Sequence, residues 1–122
     1  MAAPNLGSVL VGSSQVDAMK DWYRSCFAPE ENEMGAFIFG NMQFFVEEHS
    51  EVSGPNADSH RIILNLDVED CRGLEEYLKD QGVNWVREVE QAPFGLIGTV
   101  SDPDGNLVQI IEWGATPDEG HN

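Results

Sequence analysis

Positive charge is scarce. Six Lys and Arg stand against 22 Asp and Glu, giving a net charge of −16 at pH 7. No basic stripe runs along the chain, so nucleic acid and anionic membrane surfaces are excluded as expected partners. The carboxylates are scattered, as on a heavily solvated surface; attraction of a cationic ligand or a salt-rich habitat would leave the same bias. Cysteine is equally sparse. Cys26 and Cys71 make no C-x-x-C spacing and cannot form a disulfide framework. Both fall within apolar helical periodicity, where a buried free thiol is the expected role. Histidine is limited to His49, His60 and His121, and no Ser-His-Asp or Cys-His arrangement emerges. Long apolar runs are absent. The opening MAAPNLGSVLVGSS has neither a charged start nor a full apolar core, which predicts no signal peptide, no membrane span and a soluble, cytoplasmic protein.

What is present is globular. The chain has 122 residues, 41% of them hydrophobic, with three Trp, six Phe and two Tyr. That length suits one domain, and a chain of this size buries roughly two-thirds of its unfolded surface.

The most informative feature is an internal repeat. Leu6-Gly7-Ser8-Val9-Leu10-Val11 reads as a strand. A helix is expected from Ser14, with Asp17 completing a capping box. Val16, Met19, Trp22, Tyr23, Cys26 and Phe27 then fall on one helical face, and Pro29 stops the helix. In the second copy, residues 62–68 alternate as a strand and Asp70 caps a helix. Cys71, Leu74, Tyr77 and Leu78 form its stripe, and Gly82 suits a left-handed helix end. A shift of 55 residues lays Val16 on Cys71, Met19 on Leu74, Trp22 on Tyr77 and Tyr23 on Leu78. Further strands are expected at 36–39 and 42–47, joined by a Gly40-Asn41 hairpin turn, and at 84–89, 96–101 and 107–113. The stretch around Ser53, Gly54, Pro55 and Asn56 reads as a connector.

These readings predict one α+β domain over 1–113, with module one at 6–48, a connector at 49–60 and module two at 61–113. A loose tail follows at 114–122. Each module is strand, helix, then strands, and one module cannot cover both faces of its sheet. Two modules together are expected to form one curved mixed sheet, with helices on the convex face and a cleft on the concave face.

Asp102-Pro103-Asp104-Gly105-Asn106 is a turn by composition. It precedes Leu107-Val108-Gln109-Ile110-Ile111-Glu112, the last strand of a duplicated unit, while Trp22-Tyr23 closes the first helical stripe. Together these resemble the vicinal oxygen chelate superfamily: glyoxalase I, extradiol dioxygenases, and fosfomycin and bleomycin resistance proteins. The resemblance spans residues 6–113, with one strand of the first unit shortened between Phe27 and Ala36. It implies a divalent metal in the cleft, held at positions that here read Ser8, Gln43, Ile63 and Gln109. Ile cannot ligate, and two amides and a hydroxyl supply no charge against a dication. No metal and no cofactor are therefore expected.

With those positions as the concave reference, strand alternation points Ser8, Leu10, Gln43, Phe45, Ile63, Asn65, Gln109, Ile111 and Trp113 into the cleft. Val9, Val11, Phe44, Val46, Leu64, Leu66, Val108 and Ile110 are expected beneath the helices. Phe39, Trp85 and Phe94 are further candidates for aromatic walls, with ordinary core packing as the alternative. Phe94, between Pro93 and Gly95, suits a rim loop. Such a lining suits a planar or amphipathic organic ligand.

The leading expectation is a non-catalytic, metal-free protein that sequesters an aromatic or cationic small molecule such as an antibiotic, as bleomycin resistance proteins do. By the same resemblance it works as a homodimer. The first alternative is a glyoxalase-like isomerase or lyase, or a dioxygenase-related enzyme, with an unorthodox ligand set drawn from Glu47, His60 or Glu112. Glu112 lies on the opposite strand face from Gln109 and enters the cleft only through a bulge. The second alternative is a regulatory or interaction domain with a vestigial cleft.

Overall fold

The computed structural model describes residues 2–114. Residues 115–122, with His121 and nearly all of the expected tail, lie outside the described residues. The chain divides at the Gly54–Pro55 bond into two compact units.

Unit 1 contains β1 (Ser8–Ser13), α1 (Val16–Phe27), β2 (Glu30–Glu31), β3 (Phe37–Phe39) and β4 (Met42–Glu48). Unit 2 contains β5 (Ile63–Asp67), α2 (Cys71–Asp80), β6 (Asn84–Ala92), β7 (Gly95–Ser101) and β8 (Leu107–Trp113). Each builds a four-stranded mixed sheet, ordered β1-β4-β3-β2 and β5-β8-β7-β6. The outer strands β1 and β5 pair in parallel with β4 and β8, and all other pairs are antiparallel. The two copies thus share one topology, as the repeat predicts. The expected mixed sheet is built as two four-stranded ladders, one in each unit, and among the described residues no strand of one joins the ladder of the other. The reason is local, because each unit pairs its first strand with its own last one.

The repeat also registers the helices. α1 begins at Val16 and α2 at Cys71, the residues that the 55-residue shift superposes. Their N-termini nevertheless differ. Asp70 caps α2, its Oδ1 accepting from Gly73 N at 3.0 Å. The capping box expected at Ser14 and Asp17 does not form. The cap residue of α1 is Gln15, which makes no side-chain cap bond. Ser13 Oγ instead accepts from Gln15 N at 3.0 Å, and Ser14 Oγ accepts from Gly54 N at 3.3 Å. Two hydroxyls in succession allowed the chain to use either, and the turn before the helix took both. At the other end, Ala28 adopts a left-handed φ of 46° and its N–H bonds Arg24 O, after which Pro29 forbids continuation. Gly82 takes a left-handed φ of 73° just past α2.

In unit 1 the core is aromatic. Tyr23 on α1 stands 5.0 Å from the Phe44 ring and 6.3 Å from those of Phe37 and Phe27. Trp22 meets Tyr23 edge-on at 4.9 Å. β2 is only two residues long, the shortened strand that the gap between Phe27 and Ala36 predicts. In unit 2 the core is mainly aliphatic: Leu78 of α2 is buried, as are Val100, Val108 and Ile110 on the sheet beneath it. β6 runs to Ala92, beyond the expected end at 89, and turns through Pro93-Phe94 into β7. Gly95 starts β7 because a Cβ there would strike the Glu112 carbonyl oxygen at 2.1 Å.

The β6–β7 ladder slips between Arg87 and Glu90. Helix α2 satisfies the displaced backbone. Glu75 Oε2 accepts from Val89 N at 2.9 Å, and Arg72 Nη1 donates to Val89 O at 3.0 Å. Glu75 is a carboxylate at a buried position for this reason: it replaces a ladder partner that the bulge removed. Burial pushes the Cys26 and Cys71 thiols up to about 11, so both stay protonated at neutral pH.

Candidate functional site

Each sheet has one face under its helix and one face free of it. Register assigns the residues. In unit 1, Ser8 faces Gln43 and Leu10 faces Phe45 on the helix-free side, while Val9 pairs with Phe44 and Val11 with Val46 under α1. In unit 2, Asn65 pairs with Gln109 and Asp67 with Ile111, and Trp113 lies further along that face. Leu64 pairs with Val108 and Leu66 with Ile110 under α2.

Two aromatic candidates lie elsewhere. Phe37 and Phe39 share the helix side of β3, and the Phe39 ring packs 6.5 Å from Phe27 and 6.0 Å from Phe44. Trp85 pairs with Val100, and its ring reaches within 3.2 Å of where a Gly98 Cβ would lie. Trp85 is therefore also on the helix side, where its Nε1 is buried without a hydrogen-bond partner. Phe39 sits on a three-residue strand, too short for alternation to declare itself. For Trp85 ordinary core packing was the alternative, and its pairing with Val100 puts the ring on that side.

Phe94 and Trp113 are placed together. Their rings lie 5.0 Å apart at 44°, and they remain 40% and 59% exposed. The Gly114 N–H donates to Phe94 O at 2.8 Å and ties the turn to the end of β8. Trp113 Nε1 donates to Asp67 Oδ1 at 2.8 Å. The indole is thus held edge-on by a carboxylate while its ring surface stays in solvent. Ile111 and its β7 partner Ile97 are buried on the same face. Asn65, Asp67 and Trp113 are exposed there and Gln109 is half-buried, and by register the exposed Asn84, Arg87 and Glu90 of β6 share the face. Asp67 was missed by sequence reasoning, although its parity with Asn65 and Gln109 put it on this face.

The helix-free face of unit 1 is more polar. Ser8 is exposed, Leu10 is 54% exposed, and Gln43 and Phe45 are half-buried. Asn32 Nδ2 donates to Gln43 Oε1 at 2.8 Å. Asn32 was also missed; the signal was an Asn three residues ahead of a Gly in a strand-poor gap, the composition of an Asx-type turn.

Glu112 lies on the helix side, where its Oε1 accepts from Cys71 N at 2.9 Å. A residue considered as a base for the enzymatic alternative is thereby committed to the first turn of α2. Glu47, His49 and His60 are exposed. The Asp102 carboxylate organises its own turn, with Oδ1 accepting from Asp104 N and Asn106 N, each at 2.9 Å. Asn56 N donates to Asp104 O at 2.7 Å, fastening the start of unit 2 to that turn.

These features agree with the comparisons. The chain belongs to the Glyoxalase/Bleomycin resistance protein/Dioxygenase superfamily, whose family model matches residues 5–110. No curated protein matches it. Among solved structures it is similar to a glyoxalase/bleomycin resistance protein/dioxygenase family enzyme from Burkholderia phytofirmans PsJN. The TM-score is 0.73 at 18% identity, covering 90% of this chain and 99% of that one. It is also similar to TnmS3, an antibiotic binding protein from Streptomyces sp. CB03234, with TM-score 0.69, 19% identity and 93% and 99% coverage. A glyoxylase/bleomycin resistance protein/dioxygenase domain from Frankia sp. EAN1pec gives 0.67, 17%, 93% and 98%. At these identities the likeness establishes the fold. Among the described residues, no helix is long and apolar enough to cross a membrane.

The residues at the family's metal positions do not fit a dication. In unit 1 they are a hydroxyl and an amide whose Oε1 already accepts from Asn32. In unit 2 they are the hydrocarbon of Ile63 and the amide of Gln109, which the register offsets by two: Ile63 pairs with Leu107. Among the described residues no three His, Cys, Asp or Glu side chains cluster to hold an ion.

Proposed function

We propose that this protein binds and sequesters a small organic molecule, aromatic or cationic, without a metal, and that it does so as a cytoplasmic homodimer. The observation that carries this reading is the exposed Trp113–Phe94 pair braced by Asp67. Two large rings kept in solvent offer a stacking surface, and a neighbouring carboxylate favours positive charge over the ring face. The net charge of −16 adds long-range attraction for cations. That a similar fold serves an antibiotic binding protein in Streptomyces supports the ligand class. A donor set poor in charge supports binding over metal-assisted chemistry.

The test is a panel of cationic glycopeptide and planar aromatic antibiotics. A binder quenches Trp113 fluorescence, raises the melting temperature by mass action and loses affinity as salt rises. Trp113→Ala abolishes the quench and weakens binding at least tenfold. A panel without any thermal shift overturns the reading, as does a stoichiometric transition metal that survives dialysis. Sedimentation as a monomer overturns the dimer.

A further inference from the structure

We infer that unit 1 carries a recognition site for a neutral hydrogen-bond acceptor, such as a ketone or amide carbonyl, centred on Gln43 Nε2 and set by Asn32. The inference rests on the ligand-binding reading above and names which polar group of a ligand this face selects.

The argument is one of amide orientation. A glutamine amide offers an acceptor or a donor according to which way it is turned, and its neighbours decide. Asn32 Oδ1 accepts from Met34 N and from Ala36 N, each at 3.0 Å. Turning Asn32 over would aim its NH2 at two backbone donors, so its orientation is fixed by the loop. Its Nδ2 must then point the other way, where it donates to Gln43 Oε1 at 2.8 Å. Gln43 is fixed in turn: Oε1 is engaged and Nε2 is left as the outward group, with no acceptor among the described residues.

The backbone holds this relay in place. Asn32 N donates to Ala36 O and Gly35 N to Asn32 O, each at 3.0 Å, closing the loop between β2 and β3. Gln43 pairs with Ile38 on one side and Ser8 on the other, all on the helix-free face. The half-buried Gln43 thus lies between Ser8 and Ile38, with Phe45 and the exposed Leu10 next along the same face. Partial burial strengthens a hydrogen bond and penalises a ligand that leaves the donor unpaired. Glu30 and Glu47 share this face by register, so a neutral oxygen is favoured over a carboxylate. Asn32 touches no ligand in this scheme and is a positioning residue.

Three flat probes of similar size test it: 9-fluorenone, which accepts; carbazole, which donates; and fluorene, which does neither. The wild type is expected to bind fluorenone roughly fivefold more tightly than fluorene, the worth of one net hydrogen bond, and carbazole no better than fluorene. Asn32→Asp keeps the acceptor for the loop amides and removes the donor, so Gln43 turns over and the preference passes from fluorenone to carbazole. Gln43→Glu keeps the bond to Asn32 and loses the outward donor, so fluorenone loses its advantage with little change in melting temperature. In nitrogen-15 spectra the Asn32 side-chain protons are protected from exchange and those of Gln43 are not. An unchanged fluorenone preference in Asn32→Asp, or the opposite protection pattern, overturns the assignment. Binding of all three probes without preference sinks this inference alone, whereas binding of none sinks the functional reading with it.

Discussion

The two units run the same strands and helix in the same order, yet fill them differently. Unit 1 packs rings: Tyr23 is surrounded by Trp22, Phe27, Phe37 and Phe44. Its second strand is a two-residue stub, and its helix starts without a side-chain cap. Unit 2 packs aliphatic side chains beneath α2, carries a nine-residue β6, and uses charged groups inside the structure. Position 75 shows the contrast. The 55-residue shift places Lys20 opposite Glu75, but only unit 2 has a bulge whose amide needs a carboxylate. A shared topology therefore specifies where apolar area must go and leaves the choice of side chains to each copy. Their helix-free faces diverge accordingly, into an amide–hydroxyl face and an aromatic–carboxylate one.

The contrast can be tested by substitution. Tyr23→Ala should be the largest single loss, about 3–5 kcal/mol in denaturant unfolding, since it empties the centre of the ring cluster. A loss below about 1 kcal/mol would show that the rings do not act as one core. Glu75→Ala leaves the Val89 amide buried and unpaired, for an expected cost of about 2 kcal/mol. Lys20→Ala should be nearly neutral, and equal effects at the two positions would erase the distinction between the units. Asp70→Ala should cost about 1 kcal/mol as a lost cap, while Ser14→Ala changes stability by less than about 0.5 kcal/mol. A larger Ser14 effect would mean that α1 is capped after all.

The smallest effect concerns acid. The Arg24 side-chain hydrogen bond lowers the Glu31 carboxyl below its usual 4.5. A depressed folded value contributes stability above the unfolded one, and that contribution is lost as pH falls below 4.5 through the folded value. Glu31 is exposed, so solvent screens the pair. Glu31→Gln should flatten the acid limb of the melting-temperature profile only slightly, and a marked change would place the pair in a less screened setting.

The fold was legible because periodicity reports burial. Met19, Tyr23 and Cys26 repeat at helical spacing and are buried, and the second copy repeats the pattern with Cys71 and Leu78. The DPDGN turn was legible because its residues satisfy one another locally, Asp102 bonding amides two and four positions on. The ligand-facing details were less so. Phe39 was considered for a cleft wall because it is aromatic, and nothing in a three-residue strand says which face it takes. Trp85 had core packing as its alternative, and only its pairing with Val100 decides the face. Glu112 reads like any strand carboxylate, and only the arrival of the α2 N-terminus gives it work.

Order along the chain, the apolar helical stripes, the duplication and the family were determined by sequence, since they depend on neighbours a few residues apart and on a pattern repeated once. The pairing of the strands into two sheets, the bulge clamp, the Asn32–Gln43 relay and the bracing of Trp113 by Asp67 were decided only in three dimensions. Each needs a partner 11 to 46 residues distant, and a hydrogen bond at such separation is selected by register and distance, to which a one-dimensional pattern is blind.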